Sequence, residues 1–362
     1  HGILIKGGEP LETACKITSI IFDKTGTLTN GKPVVTDVDD DLVLELAASL
    51  ERPSEHSLAE AIVSYANEEG VKLKDVSNFK AIAGHGVEGE IGGVTYYLGN
   101  RKLMQNVAHL DIERWERKMV RLEDQGKTVM ILASQKEILG LIAVADTVKE
   151  TSREAVQALL AKNIAVYMIT GDNIRTANAI AKQVGITNVL AEVLPQDKAA
   201  EVKKLQDQGQ IVAMVGDGIN DAPALTQANL GIVMGSGTDV AMEAGGIVIV
   251  KNDLRDIVTA IKLSQETMGK IKQNMFFALF YNVMGIPVAA RVFAFAGIVL
   301  KPELAGLAMA LSSVSVVSNS LLLRNFHPAR RNYLSIIASA FMTGAFLLIF
   351  LGFASLSSKG MI

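Results

Sequence analysis

The hydrophobic pattern divides the chain into regions of different character. Residues 17–22 form a short, β-branched apolar run that ends at a turn, which is typical of a buried strand. From 138 to 250 such runs alternate with amphipathic stretches, and this alternation predicts a parallel sheet flanked by helices. Residues 41–51 and 57–69 have helical periodicity, and the glycine-rich stretch 79–99 predicts a hairpin. The region between residues 22 and 138 therefore differs in fold class from the segments before and after it.

The first strand has the character of the later alternating region but lies far upstream of it. The simplest account is that residues 34–133 are a domain inserted into another domain, which exposed loops tolerate. We therefore predict an α/β domain with a parallel sheet, made of residues 1–33 and 134–265. The insert is predicted to be a smaller α+β domain.

The last quarter of the chain contains three long apolar stretches. They cover residues 275–296, 303–323 and 333–356, and each could cross a hydrocarbon core of ~30 Å as a helix. A buried core helix is the alternative for any one of them, but three in succession favour membrane spans within residues 266–362. The loop 324–331 carries three arginines, and the positive-inside rule places it in the cytoplasm. The preceding domains are then cytoplasmic, and we expect an integral protein of a prokaryotic plasma membrane.

Composition limits the function classes. The formal net charge is -3, so no broad basic surface argues for nucleic acid. Cys15 is the only cysteine, which excludes a disulfide framework within the chain. Mean hydropathy is +0.29, and the excess over an ordinary soluble protein lies in the last quarter. Because the first residue is His1, we expect this chain to be a piece of a longer protein.

Polar side chains stand at the predicted strand ends of the α/β domain. Asp23 follows the first strand, where a carboxylate can accept a phosphoryl group. Thr170 follows a later strand, and Lys198 opens a helix as a point charge suited to phosphate. Asp217 and Asp221 add carboxylates that suit Mg²⁺. Each alone is usually a turn or a solvated helix residue, but together, each at a strand end, they favour a phosphoryl-transfer site.

Three motifs carry a family resemblance. "DKTGTLT" at 23–29, "TGD" at 170–172 and "GDGINDAPAL" at 216–225 are similar to the signature set of the P-type ATPases. The phosphorylation domain of that family resembles the haloacid-dehalogenase phosphatases. The resemblance covers residues 1–325, and "DKTGTLT" is its most specific part.

The resemblance implies roles for individual residues. Asp23 would be phosphorylated by ATP, with Lys24 and Lys198 balancing the charge of the phosphoryl group. Mg²⁺ would be held by Asp23, Asp217 and the backbone carbonyl of Thr25. The rest of the phosphate site would comprise Thr170, Gly171, Asp172, Asn220 and Asp221.

The insert is the candidate site for the adenosine of ATP. The residues proposed to bind it are Glu55, His56, Gly84, Gly86, Gly99 and Asn100. Glycines in a hairpin are usually only turns, and a polar residue before a helix is usually a cap. Together they resemble the nucleotide-binding domain of the heavy-metal branch of P-type ATPases. Ser57 departs from that pattern, which has proline there, and we expect His56 to be less preorganised as a result.

Polar residues in the apolar stretches suggest the ion. Tyr281 and Asn282 lie in the first and Met309 and Ser313 in the second, and the interiors carry no Asp, Glu, Lys or His. A thioether with neutral oxygens suits a soft ion such as Cu(I), whereas ordinary helix packing is the alternative. The pattern is similar to the copper subgroup, which leaves Cu(I) and Ag(I) undecided.

The resulting hypothesis is ATP-driven export of Cu(I) through an aspartyl phosphate. The chain resembles the C-terminal half of such a pump, limited alone to ATP binding and autophosphorylation. Its implied partners are the lipid bilayer, a copper chaperone, and a missing N-terminal half with an actuator domain and a Cys-Pro-Cys helix. One alternative is a membrane-anchored phosphatase, disfavoured because Thr25 stands where those enzymes carry a second Asp. The other is a non-catalytic nucleotide-binding fragment that pairs with a separate half.

Overall fold

The computed structural model describes most of the chain. The described residues are 2–54, 56–217, 221–235, 245–292, 295, 302–328, 337, 341, 344, 348 and 352. Within the helices, the side chains outside the description are those of residues 281, 282, 284, 285, 289, 302–305, 307–309 and 311. The chain divides into two compact units, His1–Val258 and Thr259–Ile362.

The first unit contains a seven-stranded sheet, ordered β1-β13-β12-β11-β2-β9-β10. Its strands are β1 (Ile3–Ile5), β2 (Ser19–Asp23), β9 (Ala165–Ile169), β10 (Asn188–Leu190), β11 (Val212–Gly216), β12 (Leu230–Met234) and β13 (Ile247–Ile249). All neighbours are parallel except β1, which pairs antiparallel with β13. Strand β2 is buried along its whole length between β11 and β9. The parallel sheet predicted from the alternating pattern is confirmed.

Short helices connect these strands. They are α1 (Gly8–Ala14), α6 (Ser152–Leu160), α7 (Ile174–Val184), α8 (Lys198–Asp207) and α9 (Ala222–Gln227). Helices α7, α8 and α9 follow β9, β10 and β11, respectively, so the loops before them leave the carboxyl ends of parallel strands. Because those ends share one edge of the sheet, Asp23 at the end of β2 lies among these loops.

The same unit contains a six-stranded antiparallel sheet, ordered β3-β8-β7-β6-β5-β4. Its strands are β3 (Val34–Val38), β4 (Ser77–Ile82), β5 (Gly86–Ile91), β6 (Val94–Gly99), β7 (Thr128–Ser134) and β8 (Ile138–Ala145). Its helices are α2 (Asp41–Glu51), α3 (Ser57–Glu68), α4 (Arg101–Asn106) and α5 (Glu113–Glu123). The predicted hairpin is confirmed, since Ile91 pairs with Val94 across a glycine turn.

Strand β8 corrects the sequence interpretation. The apolar run at 138–145 is predicted to join the parallel sheet, but it pairs antiparallel with β3 and β7. Neighbouring side chains of β8 pack into different hydrophobic cores. Ile142 packs with residues of α2 and α3, and Leu141 packs with residues of α4 and α5. A sheet covered on both faces gives a continuous apolar run instead of an alternating one. By sheet membership, the inserted segment therefore extends past 133 to Ala145.

The second unit is helical in its described part. Helix α10 (Arg255–Ala289) has 35 residues, crosses the boundary between the units and contains Pro287; helix α11 (Pro302–Leu321) has 20 residues. Among the described residues, none of the helices combines the length and apolarity needed to cross a membrane. The predicted span 333–356 lies outside the described residues except for isolated positions. The three spans therefore stay a prediction.

Candidate active site

The buried carboxylate of Asp23 shares one ammonium with Asp221. Lys198 Nζ lies 2.6 Å from Asp23 Oδ1 and 2.7 Å from Asp221 Oδ1, and all three side chains are buried. Asp23 is delivered by β2, Lys198 by the start of α8 and Asp221 by the turn before α9. The strand-end prediction is therefore correct in placing these three residues together.

Burial among other carboxylates disfavours the charged form of Asp23. Burial, together with the nearby carboxylate of Asp221, raises the pKa of Asp23 to about 7, against the opposing effect of Lys198. The negative charge of Asp217 raises the pKa of Asp23 further. Burial alone would lower the pKa of Lys198, but the charges of Asp23 and Asp221 outweigh it and raise that pKa. Burial and the neighbouring carboxylates therefore outweigh the stabilisation from Lys198, and a further cation would stabilise the charged form of Asp23.

A second buried pair stands beside the first. Lys24 Nζ lies 2.5 Å from Asp172 Oδ2, and Asp172 also accepts hydrogen bonds from Thr170 Oγ1 and Thr128 Oγ1, both at 3.1 Å. Burial would raise the pKa of Asp172, but Lys24 and these hydroxyl donors lower it instead. Lys24 is thus held next to Asp23 by the "TGD" loop, with Gly171 between Thr170 and Asp172.

The sequence does not predict Lys149 as a residue of the site. Its Nζ donates to the carbonyl of Gly26 at 2.7 Å and to Asn252 Oδ1 at 2.9 Å, so it holds the loop that follows Asp23. Burial lowers the pKa of Lys149 to about 8. Gly26 has a φ of +72° and would bring a Cβ to 3.4 Å from Asp217 Oδ2. Only these folded contacts distinguish Lys149 from an ordinary surface lysine.

The donor set fits the Mg²⁺ implied by the family resemblance. No cluster of three or more His, Cys, Asp and Glu side chains in the described parts of the chain forms a ready-made metal site. Mg²⁺ needs less, because it is usually held by one or two carboxylates together with phosphate oxygens and water. Asp23 and Asp217 supply two carboxylates near the Gly26 turn, and Thr25 precedes that turn. Asn220 lies outside the described residues.

The proposed nucleotide residues form a glycine-lined corner of the antiparallel sheet. Gly86 pairs with Gly99, and a Cβ on either would come within 2.2 Å of a backbone carbonyl oxygen. Asn100 caps α4 through its Oδ1 and donates from Nδ2 to the carbonyl of Gly84 at 2.8 Å. A Cβ on Gly84 would meet Leu194, which precedes α8. The structure therefore brings these four sequence-predicted residues together.

His56 stands at the start of α3 in the insert. It caps α3, with Nδ1 accepting from Leu58 N at 3.2 Å, which requires an unprotonated Nδ1. Although part of its surface is exposed, the atoms packed against the imidazole lower its pKa, and Asp172 and Lys24 are near enough to contribute. His56 therefore lies within electrostatic range of the second buried pair. Glu55 lies outside the described residues.

The sequence also does not predict the buried acid at the end of α2. Glu51 ends α2 with 4% of its surface exposed, and burial raises its pKa to about 7. Its Oε2 atom has no hydrogen-bond partner among the described residues. The helical pattern that correctly predicts α2 gives no signal that its last carboxylate is buried.

The proposed ion residues stay largely untested. Tyr281 and Asn282 lie in α10 and Met309 in α11, but their side chains are outside the description. Ser313 is exposed on α11. Elsewhere in the pair, Lys270 Nζ donates to Asn319 Oδ1 at 2.7 Å, and Asn319 Nδ2 donates to Asn274 Oδ1 at 2.8 Å.

The chain is similar to proteins of one known family. Residues 17–229 match the haloacid dehalogenase-like hydrolase family. A probable copper-exporting P-type ATPase of Archaeoglobus fulgidus is 53% identical over 91% of this chain and 41% of its own length. The chain thus spans less than half the length of such curated relatives.

Solved structures of P-type ATPases are also similar to this chain. A zinc-transporting PIB-type ATPase in its E2·Pi state superposes with a TM-score of 0.63 at 36% identity, over 89% of this chain and 52% of that one. The catalytic domain CopB-B of a CPx-ATPase gives 0.58 at 30% identity, over 72% of this chain and 95% of that domain. The chain therefore belongs to the haloacid dehalogenase-like hydrolases and, within them, to the P-type ATPases that include the copper transporters.

Proposed function

We propose that the chain transfers the γ-phosphoryl group of ATP to Asp23. The observation that carries the proposal is the buried Asp23 at a strand end, held by Lys198 and flanked by Asp221 and Asp217. A carboxylate oxygen of Asp23 attacks the γ-phosphorus, the bond from that phosphorus to the β–γ bridging oxygen breaks, and ADP leaves. The nucleophile has to be ionised for this attack, so its protonation state is part of the chemistry.

The neighbouring side chains support that transfer by fixed charge. Lys198 holds Asp23 and is placed to neutralise the added phosphoryl oxygens, while Asp172 keeps Lys24 nearby. Asp23, Asp217 and the carbonyl of Thr25 would hold Mg²⁺, which neutralises phosphate charge when bound. Thr25 cannot act as a general acid or base at neutral pH, so it does not assist hydrolysis of the aspartyl phosphate. A long-lived phosphoenzyme follows, as a pump requires.

The insert would bind the adenosine part of ATP. In this proposal His56, the corner formed by Gly84, Gly86, Gly99 and Asn100, and the neighbouring Glu55 contact the nucleotide. The glycines support close approach because they leave backbone uncovered. Glu51 joins them as a buried acid that, when protonated, can both donate and accept a hydrogen bond. The domains are then the insert at 34–145 and the phosphorylation domain around it.

The transported ion in this proposal is Cu(I), exported from the cytoplasm. The copper-transporting names of relatives near 50% identity support it, as does the Met and neutral-oxygen set of Tyr281, Asn282, Met309 and Ser313. The spans 275–296, 303–323 and 333–356 would cross the bilayer. Because the chain covers less than half of those relatives, transport would also need the actuator domain and the Cys-Pro-Cys helix. A zinc cargo is the competing possibility raised by the structural neighbour.

The decisive experiment is acid-quenched labelling with γ-³²P-ATP and Mg²⁺. We expect a hydroxylamine-labile label on the wild type that is absent from Asp23→Asn and retained in Asp197→Asn, an exposed control just before α8. Fast phosphate release from small phosphoesters without a stable label would instead identify a phosphatase. Nucleotide binding without either reaction would identify a regulatory fragment.

The ion is tested separately by direct binding. We expect the detergent-purified chain to bind Cu(I) or Ag(I) more tightly than Zn²⁺, and Met309→Ala to weaken the soft ions alone. Preference for Zn²⁺, or no effect of Met309→Ala, would remove the copper assignment without affecting phosphorylation.

A further inference from the structure

An ion cluster joins the insert to the parallel-sheet domain. Glu123, the last residue of α5, is 1% exposed, and both of its oxygens accept from the Arg101 guanidinium. From the other side, Asn173 Nδ2 donates to Glu123 Oε1 at 3.0 Å. Arg175 Nη1 lies 3.9 Å from Glu123 Oε2 and donates to Glu116 at 3.2 Å. A buried carboxylate is therefore shared between two domains.

The surrounding contacts extend the same junction. Asn173 caps α7 through Oδ1, which accepts from Arg175 N and Thr176 N. Thr176 Oγ1 donates to the carbonyl of Lys127 at 2.8 Å, and Thr128 Oγ1 donates to Asp172. The start of α7 thus meets the end of α5 and the start of β7. The amino end of a helix favours a carboxylate such as Glu123 on electrostatic grounds as well.

The cluster lies between the two halves of the proposed reaction site. Arg101 directly follows Asn100, a proposed nucleotide residue, and Asn173 directly follows Asp172, the partner of Lys24. Glu123 therefore contacts the residue that follows the proposed nucleotide corner and the residue that follows the proposed phosphate site. In-line transfer needs the γ-phosphoryl group close to Asp23, and a small displacement of one domain would lower the rate strongly.

We propose that Glu123 is a positioning residue, which with Arg101, Asn173 and Arg175 clasps the insert onto the phosphorylation domain for phosphoryl transfer. The proposal rests on the function proposed above. The clasp acts on the distance between bound nucleotide and Asp23, and it leaves the nucleotide contacts themselves unchanged. It predicts a split between ATP binding and the rate of phosphorylation.

The test compares three variants of the full chain. Glu123→Gln keeps the shape of the side chain but removes its charge. Arg175→Glu reverses the charge on the α7 side and changes no residue of the insert. Lys182→Glu is the matched control, with the same charge change at an exposed position further along α7. The measurements are ATP affinity, the rate of phosphoenzyme formation at saturating ATP, and amide hydrogen exchange in residues 123–128 and 172–176.

We expect Glu123→Gln and Arg175→Glu each to slow phosphoenzyme formation about tenfold or more, with ATP affinity changed by less than about twofold. Exchange should become faster on both sides of the junction in both variants. Lys182→Glu should match the wild type in all three measurements.

Several outcomes would overturn the proposal. An equal loss of ATP affinity and phosphorylation rate in Glu123→Gln would place Glu123 in the nucleotide site. A normal phosphorylation rate in Arg175→Glu would mean that Glu123 only supports the fold of the insert. Unchanged exchange in both variants would show that there is no clasp. If Glu123→Gln does not fold, Arg175→Glu decides the matter alone. If the wild type forms no phosphoenzyme, the proposed function fails, whereas the exchange measurements still decide the docking.

Discussion

The phosphate site and the nucleotide corner are built from different materials. Around Asp23, buried carboxylates contact buried ammonium groups, with Lys198 between two carboxylates and Lys24 against Asp172. Around Gly86, the structure depends on the absence of side chains and on a cap from Asn100. The first site is defined by charge and the second by backbone shape. Substitutions should therefore affect the first site through electrostatics and the second through steric contact with the backbone.

The largest expected effect comes from removing the shared ammonium. Lys198→Ala leaves Asp23 and Asp221 buried without their main cation, and breaking a buried ion pair costs about 3–5 kcal/mol. We expect phosphoenzyme formation to fall by about a thousandfold, because the phosphoryl charge also loses its partner. Lys204→Ala on the same helix removes only an exposed pair with Glu201, so its stability should change by less than about 1 kcal/mol. Acid-quenched labelling and urea unfolding measure the two quantities.

The nucleotide corner should respond to a single methyl group. In Gly99→Ala the Cβ would lie 2.1 Å from the carbonyl oxygen of His85, so strands β5 and β6 have to separate. We expect a loss of about 3 kcal/mol in the stability of the insert and weak ATP binding. Gly93→Ala in the same hairpin meets no atom within 4 Å and has only its φ of +80° against it, at a cost of about 1 kcal/mol. If both variants unfold alike, steric contact is not what requires glycine at 99.

These two sites also differ in how far the sequence predicts them. Asp23, Lys198 and Asp221 are predicted together because each stands at a strand or helix end of an alternating pattern, and parallel strands bring such ends to one edge. The glycine corner is predicted by resemblance, and the pattern alone reads it as a turn. The β8 strand is misplaced because a sheet covered by helices on both faces has the same continuous apolar run as a parallel one.

Residues that act through distant contacts have no local signal. Lys149, Glu51 and Glu123 have ordinary sequence surroundings for a loop and two helix ends. The contacts of Lys149 and Glu123 come from segments far along the chain, and Glu51 is buried as well. A sequence pattern reports which face of an element is apolar, but it does not report which polar residue the next element covers.

Glu51 offers a pH test confined to the insert. Its pKa is raised from 4.5 to about 7 by burial, so the folded state holds a proton that the unfolded state has lost. The stability from this group is fully present below pH 4.5 and is lost as the pH rises through about 7. We expect this group to contribute a decrease on the order of 2–3 kcal/mol over that window, so the pH dependence should be smaller by that amount in Glu51→Gln and unchanged in the exposed control Glu60→Gln. Unfolding followed by Trp115, the only tryptophan and part of α5, measures it.

The smallest effect tests the departure from the family pattern. Ser57 is the first residue of α3, where a proline would lose no needed hydrogen bond, and His56 before it already has extended angles, φ -78° and ψ 143°. Ser57→Pro should therefore stabilise the insert by about 0.5 kcal/mol and improve ATP affinity by about twofold, because His56 is held in place before binding. Ser57→Ala is the control, since it removes the hydroxyl without fixing φ. Calorimetric titration with a non-hydrolysable ATP analogue compares the three proteins. Equal affinity in Ser57→Pro and wild type would mean that the turn is already rigid, and that the nucleotide corner owes its shape to the glycines and Asn100 instead.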